Sequence, residues 1–286
     1  MANYVTPQTY DPTKVVLLLG EHIGKTGPVP FQRIQIRYQY DNGLGPLVVR
    51  THQMFSFGLC ERTDMQSKTG KVVGYSMPFV AYDAKHGKQQ ADQEFMDMME
   101  SITRVIREKM SDRKILSALK QKRKKAVDVE SLSLMKCNTE KPDAPPVMYV
   151  KLKTAYGADP AKIVTPFYRM ATKGEKERTG KNIVNVKDPL EYLRKKCTVI
   201  GGITIDSVFI GGIIESIVTK LAEVFIVKKL DYHQSIMADL ELEADSDEEE
   251  DEDDVEKQRK TIKVNRVEDE DDDEDNDDYD SRRFVL

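Results

Sequence analysis

In the run Val147 to Lys153, Tyr149, Lys151 and Lys153 alternate with Met148, Val150 and Leu152. A strand sends successive side chains to opposite faces, so the ring and the two ammonium groups share one side while the apolar residues take the other. Such a face has a definite chemistry: the ring stacks on an unpaired base, and the cations neutralise the phosphates that run past it. The same mixture recurs along the chain. Phe31, Arg33 and Arg37 lie on one face of FQRIQIRYQY, opposite Ile34, Ile36, Tyr38 and Tyr40. Phe55, Phe57 and Arg62 follow near the end of a second extended run, and Phe167, Tyr168 and Arg169 sit in a later one. Lys122 and Arg123 belong to Lys120 to Lys125, where five of six residues are cationic. The competing explanation is that every alternating strand exposes one polar face and that most of these rings belong to a core.

Other chemistries find less support. VVLLLGEHIGKT, Val15 to Thr26, resembles a phosphate-binding loop, yet its glycines Gly20 and Gly24 stand one residue too close. The lysine and threonine of such a loop must also open a helix, and Gly27-Pro28-Val29-Pro30 forbids one. Cys60, Cys137 and Cys197 have no paired spacing, nor do His22, His52, His86 and His233, which argues against structural zinc and a disulfide framework. No catalytic motif stands out, so the expectation is a protein with no catalytic residues, no metal and no cofactor.

The elements that must position these residues can be read from periodicity. Phe31 to Tyr40, Leu47 to Leu59 and Val72 to Tyr82 read as three strands of a meander, the last broken by Pro78 near an edge or bulge. From Gln90 the period changes: Phe95, Met98, Met99, Ile102, Val105, Ile106 and Met110 recur at helical steps, with acids early and bases late. A second helical piece starts near Asp112, so the helical insertion covers about 90–126. Strands resume at Val147 and Ile163, after the loop Asn138 to Pro146. Lys173 to Lys181 reads as a mobile loop. Thr198 to Gly212 and Glu215 to Leu230 read as buried strands, although Glu215 to Lys229 also fits a helix.

Charge divides the chain sharply. Residues 239–286 hold 24 acids and 7 bases, out of 49 and 44 in all, which leaves 25 acids and 37 bases in residues 1–238. The tail carries −17 and the body +12. A basic body tied to its own polyanion is the pattern of a nucleic-acid-binding surface with an acidic tail. The tail, with runs Asp245 to Asp254 and Glu268 to Asp280, reads as disordered, yet Tyr279, Phe284, Val285 and Leu286 give it an apolar tip suited to docking a partner. The longest apolar stretches fall far short of the ~20 residues of a membrane span, so no membrane association and an intracellular location are expected.

The layout resembles the single-stranded DNA-binding proteins of large eukaryotic DNA viruses, which are similar to those of short-tailed phages. The resemblance rests on FQRIQIRYQY, the helix ADQEFMDMMESITRVIREKM, VMYVKLK after PDAPP, the apolar run VIGGITIDSVFIGGIIESIVTKLAEVFIV and the acidic tail with its apolar end. It implies a mainly β (or α+β) fold, an OB-like β-barrel with a helical insertion and a disordered acidic tail. The expected domains are an N-terminal extension over 1–30, the OB-like domain over 31–238, and the tail over 239–286. Arg282-Arg283, just before the tip, departs from that pattern. The expected partners are single-stranded DNA and replication proteins recruited by the tail, with a homodimer through the strands of Thr198 to Leu230 left open. The expected place is the host cytoplasm or nucleus at sites of viral DNA replication, or the virion. An acidic-tailed virion or scaffold protein acting through protein contacts is the alternative.

Overall fold

The computed structural model describes residues 3–26, 29–63, 70–83, 87–113, 115, 128–155, 157, 161–211 and 214–230; side chains of 20–30 and of Ile214 are left aside. The chain divides into two units, residues 1–232 and 233–286, and every described residue lies in the first. Its fold is mainly β. The strands are β1 (Val15–Thr26), β2 (Val29–Tyr40), β3 (Gly43–Arg50), β4 (Met54–Ser56), β5 (Cys60–Thr63), β6 (Val72–Val80), β7 (Val147–Leu152), β8 (Phe167–Met170), β9 (Ile183–Asn185), β10 (Cys197–Gly211) and β11 (Ile214–Lys229). They form one mixed sheet of 11 strands.

Within that sheet five strands close a ring: β10 pairs with β4, β4 with β6, β6 with β7, β7 with β11, and β11 returns to β10. Counted in chain order, the ring runs first, second, third, fifth, fourth and back to first. Four seams are antiparallel and the seam between β7 and β11 is parallel. That order with that single parallel seam is the topology of an OB barrel. The long hairpin β10–β11 makes it possible. Bulges near Gly202 and between Ile205 and Ser207 coil the hairpin, so that β10 reaches β4 at Cys197–Val199, β3 at Gly202–Ile205 and β2 at Ser207–Gly211. β8 and β9 extend the sheet beyond β11, and β1 extends it beyond β2.

The core follows from alternation. Ile34, Ile36, Leu47, Met77, Phe79, Met148, Val150, Val199, Ile203, Ile205 and Leu221 are buried in one cluster. Helix α1 (Gln90–Met110) enters between the second and third ring strands and buries all seven apolar residues of its stripe against that cluster. Asp92 fixes its start: one carboxylate oxygen accepts from the Gln89 N–H at 2.8 Å, and the other meets His52 Nε2 at 2.6 Å. The corner after β3 is thereby tied to the helix.

Several expectations need correction. Within the stretch expected as an extension, Val5 and Val15 are in the core and β1 pairs with β2 along most of its length, so these described residues pack with the strands that follow. The run Leu47 to Leu59 is two strands: the backbones of Thr51 and Gly201 are joined at 2.9 Å, and the chain turns there from the β3 seam of β10 to the β4 seam. β10 thus comes between the two halves of that run, while the neighbours expected of a meander do pair, β2 with β3 and β4 with β6. Pro78 leaves β6 intact because it falls between Ser76, paired with β5, and Val80, paired with β4. Lys173 to Thr179 is a helix, α2, rather than a loop. Thr172 and Glu175 form its capping box, and Gly180 closes it at φ 67°. Ile214 to Lys229 is strand throughout, which removes the helical alternative. Lys122, Arg123 and the tail residues Tyr279, Phe284, Val285 and Leu286 lie outside the described residues.

Candidate nucleic-acid interface

The side of β6 opposite Tyr75, Met77 and Phe79 carries Gly74, Ser76 and Pro78, small residues that are themselves buried and form a floor beneath the side chains of the neighbouring strands. β7 borders this floor. Its burial alternates as expected, with Met148, Val150 and Leu152 inward and Tyr149, Lys151 and Lys153 outward, Tyr149 being 54% exposed. Tyr149 stands opposite Pro78 and Lys151 opposite Ser76. On the other border Arg62 of β5 stands opposite Gly74, and its guanidinium lies 3.9 Å from where a Cβ on that glycine would be. An alanine at 74 would make an ordinary contact with that arginine.

Two more cations reach this face from other strands. Lys220 of β11 pairs with Lys151 across the parallel seam, and Arg33 comes from β2, which flanks β10. Burial is the main cause that pushes the Lys151 ammonium below the ordinary lysine range, and the charges of Arg62, Arg33 and Lys220 push it the same way. Four positive side chains from four strands therefore crowd one place. Asp206 offsets part of this through an ion pair with Lys220 at 2.9 Å. The Arg33 guanidinium also lies 5.6 Å from the Phe31 ring centre and 6.0 Å from that of Phe209, and these two rings are 5.5 Å apart. Arg37, along the same strand, is held by Gln35 at 2.8 Å.

In an OB barrel the face of the second and third strands, with the loops joining first to second and fourth to fifth, is where oligonucleotides lie. Here those strands are β6 and β7, the first loop carries Phe57 and β5, and the last follows Phe209. Phe57 is 47% exposed and meets Phe55 edge to face, 4.9 Å between centres. Gly58 holds this corner at φ 84°, where a Cβ would lie 2.3 Å from the Lys195 carbonyl oxygen.

The expected residues thus separate into groups. Arg33, Arg62 and Lys151 converge, with Tyr149 beside them on β7 and exposed Lys153 just past its end. Phe167 is a correction: it is 1% exposed, points into the core and has no surface on which to stack a base. Arg169 is committed elsewhere, with both terminal nitrogens on the Glu175 carboxylate at 2.8 Å. Tyr168 lines a separate cleft with Tyr4 and Phe225. Phe209 and Lys220 were missed, because the Val and Ile-rich run hid which of its positions turn outward.

Reactive groups are scarce. Burial pushes the Cys197 thiol up to about 12, the condition of a core group rather than a nucleophile. Among the described residues no cluster of His, Cys, Asp and Glu has the arrangement to hold a metal ion. No helix among them is long and apolar enough to cross a membrane.

The class these features define is an OB-type β-barrel with a cationic, aromatic outer face. The chain belongs to the family described as protein of unknown function (DUF2738), whose profile matches residues 13–279. It is also similar to the early 31 kDa protein of Frog virus 3 (isolate Goorha), with 27% identity over 221 residues, 76% of this chain and 74% of that protein.

Proposed function

We propose that this protein is a non-catalytic binder of single-stranded DNA, acting without sequence specificity in the replication, recombination or repair of a viral genome. The observation that carries this reading is the convergence of Arg33, Arg62, Lys151 and Lys220 on the face bordered by Tyr149. The cations neutralise phosphates and release counterions, while exposed rings stack on bases that have no duplex partner. The +12 body charge supports it, and so does kinship with a viral protein described as early. The resemblance to single-stranded DNA-binding proteins of large DNA viruses belongs to this reading. So do a place of action at sites of viral DNA replication and recruitment of replication proteins by the tail tip.

Titration with a fluorescent single-stranded oligonucleotide across a salt series tests it. Four phosphate contacts give a log–log salt slope near −3, and Arg62→Ala or Lys151→Ala each lowers its magnitude by about 0.7. A flat salt response, or no binding at low salt, overturns the reading and favours a scaffold protein working through protein contacts.

A further inference from the structure

A second aromatic site lies farther along the hairpin. There Tyr168 of β8 pairs across the parallel seam with Phe225 of β11, and Ile200 of β10 flanks Phe225 on the other side. With Tyr4, Arg50 and Glu223 these residues line a cleft of about 490 Å³. Its floor is Gly201-Gly202, and a Cβ at 202 would lie 3.0 Å from the Tyr4 ring, a contact tight enough that the ring would have to give by a few tenths of an ångström. The Tyr4 hydroxyl donates to Glu223 Oε1. Burial first, and then the Glu223 carboxylate, pushes the Tyr4 phenol above its ordinary range, so it stays a donor. It holds the carboxylate in place at the cleft lining and leaves acceptor capacity on it unused by this bond.

The cleft continues the cationic face. Strict alternation would turn Phe225 away from the side of Lys220. The bulge between Leu221 and Glu223 resets the phase, so Leu221 and Val224 are buried while Lys220, Glu223 and Phe225 keep outward surface. Lys220 and Phe225 are about 17 Å apart along the strand, a span that a short run of extended single strand covers.

We propose that this cleft is a second subsite of the same surface and takes one unpaired base bearing an exocyclic amino group. The inference rests on the single-strand-binding reading above. The rings Tyr168 and Phe225 supply stacking surface, Arg50 meets the adjoining phosphate, and Glu223 accepts from the amino group. Thymine offers that carboxylate one N3–H flanked by two carbonyl oxygens that repel it, and is disfavoured.

The test titrates the full chain with labelled cytidine-only and thymidine-only oligodeoxynucleotides of about 6 and about 16 nucleotides. The longer cytidine oligomer should bind about fivefold or more tightly than the longer thymidine oligomer, and Glu223→Gln, which can both donate and accept, should erase that difference. Phe225→Leu and Tyr168→Leu keep apolar bulk; each should weaken the longer oligomers about tenfold and leave the shorter ones unchanged. If these variants bind both lengths as the parent does, while Lys151→Ala still weakens binding, the cleft assignment is wrong and the cationic face stands. An equal loss at both lengths also overturns it, since the effect then comes from the fold. Failure of the parent protein to bind any oligomer removes both.

Discussion

Lys151 sits among like charges before any ligand arrives. Its ammonium is depressed by burial first and by Arg62, Arg33 and Lys220 next, so the charged form is disfavoured in the fold. For a base with a lowered folded value the penalty is full at neutral pH and is relieved as pH rises toward the ordinary lysine range. Stability of the free protein should therefore rise with pH across that alkaline window. Lys151→Met should remove the rise and leave the melting temperature at pH 7 unchanged or higher, while weakening single-strand binding; a lower melting temperature would mean that the lysine supports the fold. Tyr149 separates the two roles further. With 54% of its surface exposed, Tyr149→Ala should weaken oligonucleotide binding by about 1–3 kcal/mol and hardly change thermal unfolding. Period-two alternation made Tyr149 and Lys151 legible, because inward Met148, Val150 and Leu152 fix the phase. It misled at Phe167, where four residues of strand leave the phase undetermined, and it hid Phe209 and Lys220, whose phase depends on bulges that no local pattern announces.

Elements position these side chains through a few local devices. Arg169, bonded to Glu175, joins β8 to α2, and this arginine is the largest cause that lowers the Glu175 carboxyl to about 2, followed by the Thr172 N–H and hydroxyl. A carboxylate with a lowered folded value adds stability above its unfolded value and loses it as pH falls through about 2. Carboxyl-detected NMR should place the Glu175 midpoint near 2 in the parent protein, and Arg169→Ala should move it clearly upward; no movement would mean that the helix cap alone is responsible. The signal for α2 was present in Thr172-x-x-Glu175 followed by Gly180, but the charged, apolar-poor stretch TKGEKERTG masked it. The corner at Gly58 is stricter. Gly58→Ala would set a methyl 2.3 Å and 2.4 Å from the carbonyl oxygens of Lys195 and Tyr192 at a left-handed φ, which should cost at least about 2 kcal/mol in denaturant unfolding and displace Phe57. A loss below about 0.5 kcal/mol would show that this loop yields easily.

At the scale of the whole molecule, the strands were legible from their pattern, while their closure into a barrel was expected only through the family resemblance. The ring depends on β7 meeting β11 through residue pairs such as Lys151 with Lys220, some 70 positions apart in the chain, and a one-dimensional pattern carries no such pairing. Charge, by contrast, is global and was readable from the start. Residues 239–286 carry −17 and the remainder +12, and we propose that this tethered polyanion, at the high effective concentration that covalent attachment gives, acts on the cationic face. On this proposal the tail competes with DNA for the same cations, and the competition weakens as salt screens both. Deleting residues 239–286 should tighten single-strand binding about tenfold at low salt, with the gain shrinking as salt rises toward ~1 M. Restoring the acidic segment on a separate peptide should reverse the gain only at concentrations well above that of the protein, because the tether is lost. If the deletion leaves affinity unchanged or weaker at low salt, the tail is not a competitor for this face, and its −17 charge must be explained by contacts with other proteins.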